Sequence, residues 1–393
     1  MDKNKKMFFN GIEEVTVLET FNKKMASGKK LRIKLGVDPT RPDLHLGHAV
    51  VLWKLKELYD MGHKIIFLIG DYTTKIGDPS GKSKTRPMLE DKQIKENAKT
   101  YFEQVGQILD VKKTEIRYNS EWYKKMNFAE IIKIAAKFTV ARIIERDDFS
   151  KRLKNGIDIG LHELLYPVMQ AYDSVALSAD VEIGGTDQKF NMLAGRELQK
   201  KMNLPVQDVI TVKILVGLDG KEKMSKSLDN YIGIKEKAGD QFGKAMSIPD
   251  NVILDYAKLA ACMDDKEIKI IEKMINTDPR NAKAQVAKKI VELYHPDEGS
   301  VAEADFNRQF KDKEIPFDIP EYMPEKNEKE VILANFLEKI KLVSSKSEAK
   351  RLIEQGGVKV DKAKIGDIDE KITLYDGMVL QVGKRKFIKI KIT

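Results

Sequence analysis

Residues 31–70 read LRIKLGVDPTRPDLHLGHAVVLWKLKELYDMGHKIIFLIG, and the order of patterns within them decides the fold. Leu31 to Val37 reads as a strand, closing on Gly36 and the breaker cluster Asp38-Pro39-Thr40-Arg41-Pro42-Asp43. From about Gly47, the residues Val50, Leu52, Trp53, Leu55, Leu58 and Tyr59 recur at helical spacing until Gly62 stops them. Ile65-Ile66-Phe67-Leu68-Ile69 then reads as a strand buried on both faces. Strand, helix and strand make one βαβ unit, right-handed by the chirality of crossover connections. Ligands of open parallel sheets bind beyond the carboxyl ends of the strands. Asp38–His48 and Gly70–Arg86 are therefore expected to face one crevice.

Further along, residues 100–160 look helical, as an insertion between two halves of the sheet. Val175 to Gln199 reads as another βα passage and Val209 to Val216 as a strand. Ile248 to Tyr294 is helical in pattern, and Pro316, Pro320 and Pro324 mark a linker. The last segment is compact α+β. Ser345 and Glu348 fit a capping box for a short helix that Gly356-Gly357 ends. Strands follow at Val358–Val360, Met378–Val382 and Lys386–Ile392.

Composition narrows the partners. The formal charge is +9. Residues 331–393 hold 14 Lys/Arg against 8 Asp/Glu, so most of the excess lies in a small C-terminal segment suited to a polyanion such as RNA. Cys262 is the sole cysteine, which excludes an internal disulfide and a thiolate zinc cluster. The charged N-terminus leads into no signal peptide, and no apolar run reaches the ~18 residues of a membrane span. A cytoplasmic protein is expected.

Three loops carry chemistry. His45-Leu46-Gly47-His48 sits at a helix entry, where free N–H groups and the helix dipole favour anions, and Gly47 lets a flat ligand approach the backbone. A metal pair or plain capping are the competing readings, and five histidines with one cysteine supply few ligands for a metal. Gly77-Asp78-Pro79-Ser80-Gly81-Lys82-Ser83, with Arg86 beyond, could cradle phosphates. It fails as a P-loop, because three residues rather than four separate Gly77 from Gly81. A solvated basic turn is its bland alternative. Lys223-Met224-Ser225-Lys226-Ser227 follows a turn at Gly217–Gly220 and could close over a triphosphate, although a lone Lys/Ser loop is more often merely solvated.

Together the first and third loops resemble the paired signatures of class I aminoacyl-tRNA synthetases. Gly36-Val37-Asp38-Pro39-Thr40, Tyr166-Pro167-Val168-Met169-Gln170-Ala171-Tyr172-Asp173 and Ile183-Gly184-Gly185-Thr186-Asp187-Gln188 resemble the substrate-binding segments of the bacterial tyrosyl-tRNA synthetases. The resemblance implies a Rossmann-like doubly wound parallel sheet over residues 1–220, with a helical insertion at about 115–160 as dimer interface. A signature-loop linker would occupy 221–247 and an all-α tRNA/anticodon-binding domain 248–325. A small α+β RNA-binding domain, similar to the ribosomal S-four type, would fill 331–393.

It also implies roles. Asp173 would accept from the substrate phenol, while Tyr166, Gln170 and Asp78 would hold the α-ammonium and Gln188 would lie near the carboxylate or the α-phosphate. Gly36, Asp38, Gly47, Gly185 and Asp187 would border ATP, with Asp187 on its ribose. Thr40, His45 and His48 would lie along the nucleotide. Lys82, Arg86, Lys223 and Lys226, with Met224, Ser225 and Ser227 of the loop, would gather around pyrophosphate. Many members carry a tyrosine where this chain has Lys34, so a second donor to the phenol must come from elsewhere or from water. The implied ligands are L-tyrosine, ATP with Mg²⁺, and tRNA(Tyr); the implied assembly is a homodimer, with no protein-held metal. Tryptophanyl-tRNA synthetase and a synthetase-derived RNA-binding protein without ligase activity are the alternatives.

Overall fold

The computed structural model describes residues 10–39, 43–77, 90–310, 319–324, 328–383 and 386–392. The chain divides into two compact units, 1–306 and 307–393. The first is built on strands β1 (Ile12–Thr16), β2 (Arg32–Val37), β3 (Lys64–Ile69), β4 (Glu115–Tyr118), β5 (Val181–Gly185) and β6 (Asp208–Val212). They form one sheet in the order β1-β6-β5-β2-β3-β4. All neighbours are parallel except β1, which runs antiparallel to β6.

Chain direction across the sheet reverses between β2 and β5. From β2 the chain proceeds outward to β3 and β4, then returns to lay β5 and β6 on the other side. Pairing of β2 with β5 spans only Ile33↔Val181 and Lys34↔Glu182, whereas β2 pairs with β3 as far as Val37↔Ile69. The two central strands thus part at their carboxyl ends, which is where a doubly wound sheet opens a binding crevice.

The βαβ unit stands where the sequence places it, with the helix at Leu46–Asp60. Other stretches differ. Glu115–Tyr118 is not helical but an edge strand; the helix Asp91–Val105 precedes it and short helices from Ser120 to Lys154 follow it. Its charged residues Glu115 and Arg117 suit a sheet edge and hide the apolar alternation by which a strand is read. Val175 closes the preceding helix, Leu161–Ala176, and the βα passage begins at Val181. The strand read as Val209–Val216 is Asp208–Val212. Among the described residues one apolar core runs from Phe21 through Leu35, Phe67, Ile210 and Tyr256 to Ala302, so the helices after Ile248 share it with the sheet. The inserted helices pack a smaller core around Ile134, Phe149, Val168 and Leu198.

In the second unit, helices Leu333–Lys339 and Lys346–Glu354 pack over short strands around Leu337, Ile353, Leu380 and Ile390. Pro316 lies outside the described residues. Between Pro320 and Pro324 the chain is no linker: Glu321–Tyr322 adds a strand parallel to Lys386–Ile390. The cap at Ser345 is split. Its hydroxyl accepts from the Glu348 amide at 3.2 Å, while Glu348 reaches one residue further back, to the Ser344 amide at 2.7 Å. Ser345→Ala is expected to cost about 1 kcal/mol, the usual value of an N-cap. Amide exchange across Lys346–Glu354 should then quicken about fivefold.

Candidate active site

A cleft of about 400 Å³ opens between the parted ends of β2 and β5. Every expected site residue within the described set borders it: Gly36, Asp38, His45, Gly47, His48, Tyr166, Gln170, Asp173, Gly185, Asp187, Gln188 and Lys223 to Ser227. Thr40, Asp78, Lys82 and Arg86 lie outside the described residues.

At the deep end Asp173 is buried on the helix Leu161–Ala176. The Trp122 indole donates to Oδ1 at 3.0 Å and the Asn119 amide to Oδ2 at 3.4 Å. Burial pushes its carboxyl up to about 7, against the opposing pull of Lys34 and of these donors. Beside it Tyr166 and Thr73 each donate to Asp38, at 2.9 Å. No side chain fits at Gly70, where a Cβ would stand 2.1 Å from Asp38 Oδ1.

At the middle, His45 caps the helix Leu46–Asp60 and its ring lies 3.9 Å from that of His48. The His45 amide donates to His48 Nδ1 at 3.3 Å, which fixes that nitrogen as an acceptor. Burial and the nearby Lys226 and Lys223 lower His45 to about 2 and His48 to about 4. Both imidazoles are therefore neutral at pH 7 and act as hydrogen-bonding groups rather than as cations. His45 Nδ1 is buried with no partner among the described residues. A Cβ at Gly47 would meet the His45 ring at 3.0 Å, so glycine keeps this ring in place.

At the mouth, Met224 buries its side chain and anchors the polar loop around it. The Asn230 carboxamide accepts from the Ser225 amide at 2.7 Å. Lys226 pairs with Asp43 at 2.6 Å and lies 5.4 Å from the centre of the Tyr231 ring, while Lys223 pairs with Asp187 at 3.3 Å. Two lysines thus rest on carboxylates at the rim. Gln188 accepts from Asn191 at 3.1 Å. The arrangement joins an apolar, acid-floored pocket to a strip of neutral imidazoles and a pair of cations. It can hold an aromatic amino acid against a polyphosphate.

A family model described as tRNA synthetases class I (W and Y) matches residues 25–311, and one described as the S4 domain matches residues 333–376. The chain is 50% identical over 398 residues to tyrosine–tRNA ligase 2 of Clostridium acetobutylicum, covering 99% of this chain and 98% of that one. It is 50% identical over 369 residues to the tyrosine–tRNA ligase of Thermotoga maritima, covering 92% and 90%. The chain belongs to the class I tyrosyl-tRNA synthetases. The solved tyrosyl-tRNA synthetase of Archaeoglobus fulgidus, complexed with L-tyrosine, superposes with a TM-score of 0.64 at 24% identity. It covers 77% of this chain and 100% of its own, and at that identity the likeness is one of fold. Full-length identity to tyrosine ligases sets aside the tryptophan alternative, which the class I model alone leaves open, and favours a ligase over a non-catalytic RNA binder.

For a tyrosyl-tRNA synthetase, several residues at this site are absent from the sequence reading. Asn119 and Trp122 hold Asp173, Asp43 holds Lys226, and Thr73 braces Asp38. Glu182 was the one with a signal: like Lys34, it is a charge inside an otherwise apolar strand, and the two are neighbours in register.

Proposed function

We propose that the cleft at the parting of β2 and β5 is where this tyrosine–tRNA ligase condenses tyrosine with ATP, Asp173 accepting the substrate phenol. The observation that carries the reading is the gathering of Asp173, His45, Asp187, Lys223 and Lys226 on one crevice from four separate stretches of chain. Tyr166 and Gln170 supply acceptors for the α-ammonium, with Asp78 from the loop outside the described residues. Gln188 meets the carboxylate. Asp187 takes the ribose, Asp38 borders the nucleotide, and Gly36, Gly47 and Gly185 let it approach the backbone.

The tyrosine carboxylate is already ionised at neutral pH, so attack on the α-phosphorus needs no general base. The carboxylate oxygen bonds to phosphorus as the bond to pyrophosphate breaks. Catalysis then rests on positioning and on neutralising the charge that gathers on the leaving group. Thr40, His45 and His48 donate along the phosphates; Lys82, Arg86, Lys223 and Lys226 meet pyrophosphate. Mg²⁺ arrives on the ATP phosphates, its usual mode in such sites. A ribose hydroxyl of the terminal adenosine of tRNA(Tyr) next attacks the adenylate carbonyl and releases AMP. The reaction belongs in the cytoplasm; among the described residues no helix is long and apolar enough to cross a membrane.

The test is amino-acid-dependent ATP–pyrophosphate exchange with each standard amino acid singly. Exchange with tyrosine alone is the expected result, and exchange with tryptophan instead would overturn the substrate.

The division of labour proposed for the chain is a catalytic part over 1–220, a loop segment over 221–247, a helical tRNA-binding part over 248–325 and a basic RNA-binding part over 331–393. A homodimer through the inserted helices is supported by their exposed apolar side chains: Phe128 is 79% exposed, with Ile132, Val140 and Leu153 also open, and Leu161, which opens the next helix, is 78% exposed. Apolar surface gathered in this way marks an interface. Val140→Asp combined with Phe128→Asp is expected to yield a monomer in sedimentation, and an unchanged dimer would move the interface elsewhere.

A further inference from the structure

Lys34 and Glu182 face each other across the last paired rung of β2 and β5. Both side chains border the cleft, and both are almost wholly buried, at 0% and 1% exposure. The Lys34 ammonium lies 2.9 Å from Glu182 Oε1, donates to Ser174 Oγ at 2.9 Å and reaches the Gln170 carbonyl at 3.3 Å. The Glu182 carboxylate also accepts from Ser174 at 3.0 Å, from Gln207 at 2.6 Å and from the Gln170 side chain at 3.3 Å. A buried ion pair of this kind adds little stability over a well-packed apolar pair, so folding alone does not account for it. Its position does: the pair lines the same cleft as Asp173, and Lys34 is tied to Gln170 and Ser174 on the helix that carries it.

We propose that Lys34, clamped by Glu182, is a positioning residue for tyrosine recognition, its buried ammonium keeping Asp173 a carboxylate ready to accept the substrate phenol. The inference rests on the assignment of Asp173 as phenol acceptor. Lys34 need not touch the phenol; it acts through Asp173, and the second contact that a tyrosine side chain provides in many relatives is replaced by charge.

The groups that face Asp173 define the electrostatics. From β2 comes Lys34, with Glu182 of β5 behind it. From the segment after β4 come Asn119, Trp122 and Tyr123, and from the helix of Asp173 itself come Gln170 and Ser174. The Tyr123 phenol is pushed well above its ordinary range, chiefly by burial and then by Asp173, so it stays neutral. Burial drives Asp173 up to about 7, and Lys34 is the first influence opposing it. Loss of that cation therefore favours the protonated form of Asp173.

The experiment is the pH profile of kcat/KM for tyrosine in pyrophosphate exchange, with thermal melting as the check on folding. Wild-type protein is expected to show an acidic limb near pH 7, the value about which Asp173 titrates. Lys34→Met should move that limb upward by about one pH unit or more, the usual effect of removing an opposite charge. Below the limb kcat/KM falls about tenfold, and well above it activity returns. Because Lys34→Met leaves Glu182 buried and unpaired, Lys34→Met with Glu182→Gln is the second variant. It carries no orphan charge and should show a smaller displacement in the same direction, since the opposing Glu182 charge goes with Lys34, and Lys34→Arg should restore the limb. A limb that stays in place in folded Lys34→Met, or a loss equal at all pH values, overturns the proposal. Asp173→Asn separates the two layers. If it keeps wild-type kcat/KM, the phenol assignment itself fails; if it collapses while Lys34→Met leaves the limb unmoved, only the role of Lys34 fails.

Discussion

Asp173→Ala is expected to lose tyrosine activation by about 10- to 150-fold in kcat/KM, the worth of one hydrogen bond to a charged group. The pocket offers its carboxylate a fixed place: Trp122 and Asn119 donate to it and leave a lone pair toward the cleft. Phenylalanine makes no such bond in wild-type protein, so its kcat/KM should barely change and the preference for tyrosine should shrink by the same factor. Tyrosine and phenylalanine measured side by side in pyrophosphate exchange check both halves. Stability runs the other way. A carboxyl held at about 7 in the folded protein, against its ordinary 3.8, makes ionisation a cost to folding. That cost is smallest in acid, grows as pH rises toward 7 and is complete above it. Asp173→Asn, which keeps the shape, is therefore expected to melt higher than wild type at pH 8, with a margin that narrows in acid. A variant that loses activity while gaining stability cannot owe its loss to misfolding. Equal tyrosine kcat/KM in wild type and Asp173→Ala would remove this residue from the site.

The contrast between what the sequence discloses and what it hides follows from where each signal resides. The βαβ unit is readable because residues 31–70 carry long apolar runs of clear period, bounded by Gly and Pro. β1 is not, since Ile12–Thr16 is short, holds two glutamates and forms only through its distant partner β6. Pro320 and Pro324 suggest a linker by composition, yet a two-residue strand between them is enough to join a sheet edge. At the site, residues in contiguous motifs are legible through resemblance. Their supports are tertiary: Trp122 lies 51 residues from Asp173, and Lys226 lies 183 residues from Asp43. Lys34 and Glu182 sit between. Each could be flagged as a charge within an apolar strand, but only the register of β2 on β5 makes them a pair.

Lys226→Ala is expected to slow adenylate formation by about 10²- to 10³-fold, in the range seen when one preorganised group facing transition-state charge is removed. Lys226 is the better placed of the two loop lysines. It is 16% exposed, packed on the Tyr231 ring and held by Asp43, whereas Lys223 is 47% exposed and rests on Asp187. Lys223→Ala should therefore cost less, because a solvated ammonium gives up more hydration to reach a phosphate and is more readily replaced by water and ions. Neither change reaches the tyrosine pocket, so KM for tyrosine should stay constant and the loss should fall on kcat, as for a group that acts mainly in the transition state. Asp43→Asn tests the same geometry from the other side. In the role proposed for Lys226, Asp43 competes with the departing pyrophosphate for it, so its neutralisation should raise kcat while leaving KM for tyrosine alone. Single-turnover adenylate formation, followed by release of labelled pyrophosphate, separates these effects. A Lys226→Ala variant with unchanged kcat and raised KM for tyrosine would place the loop on amino-acid binding instead of on the leaving group.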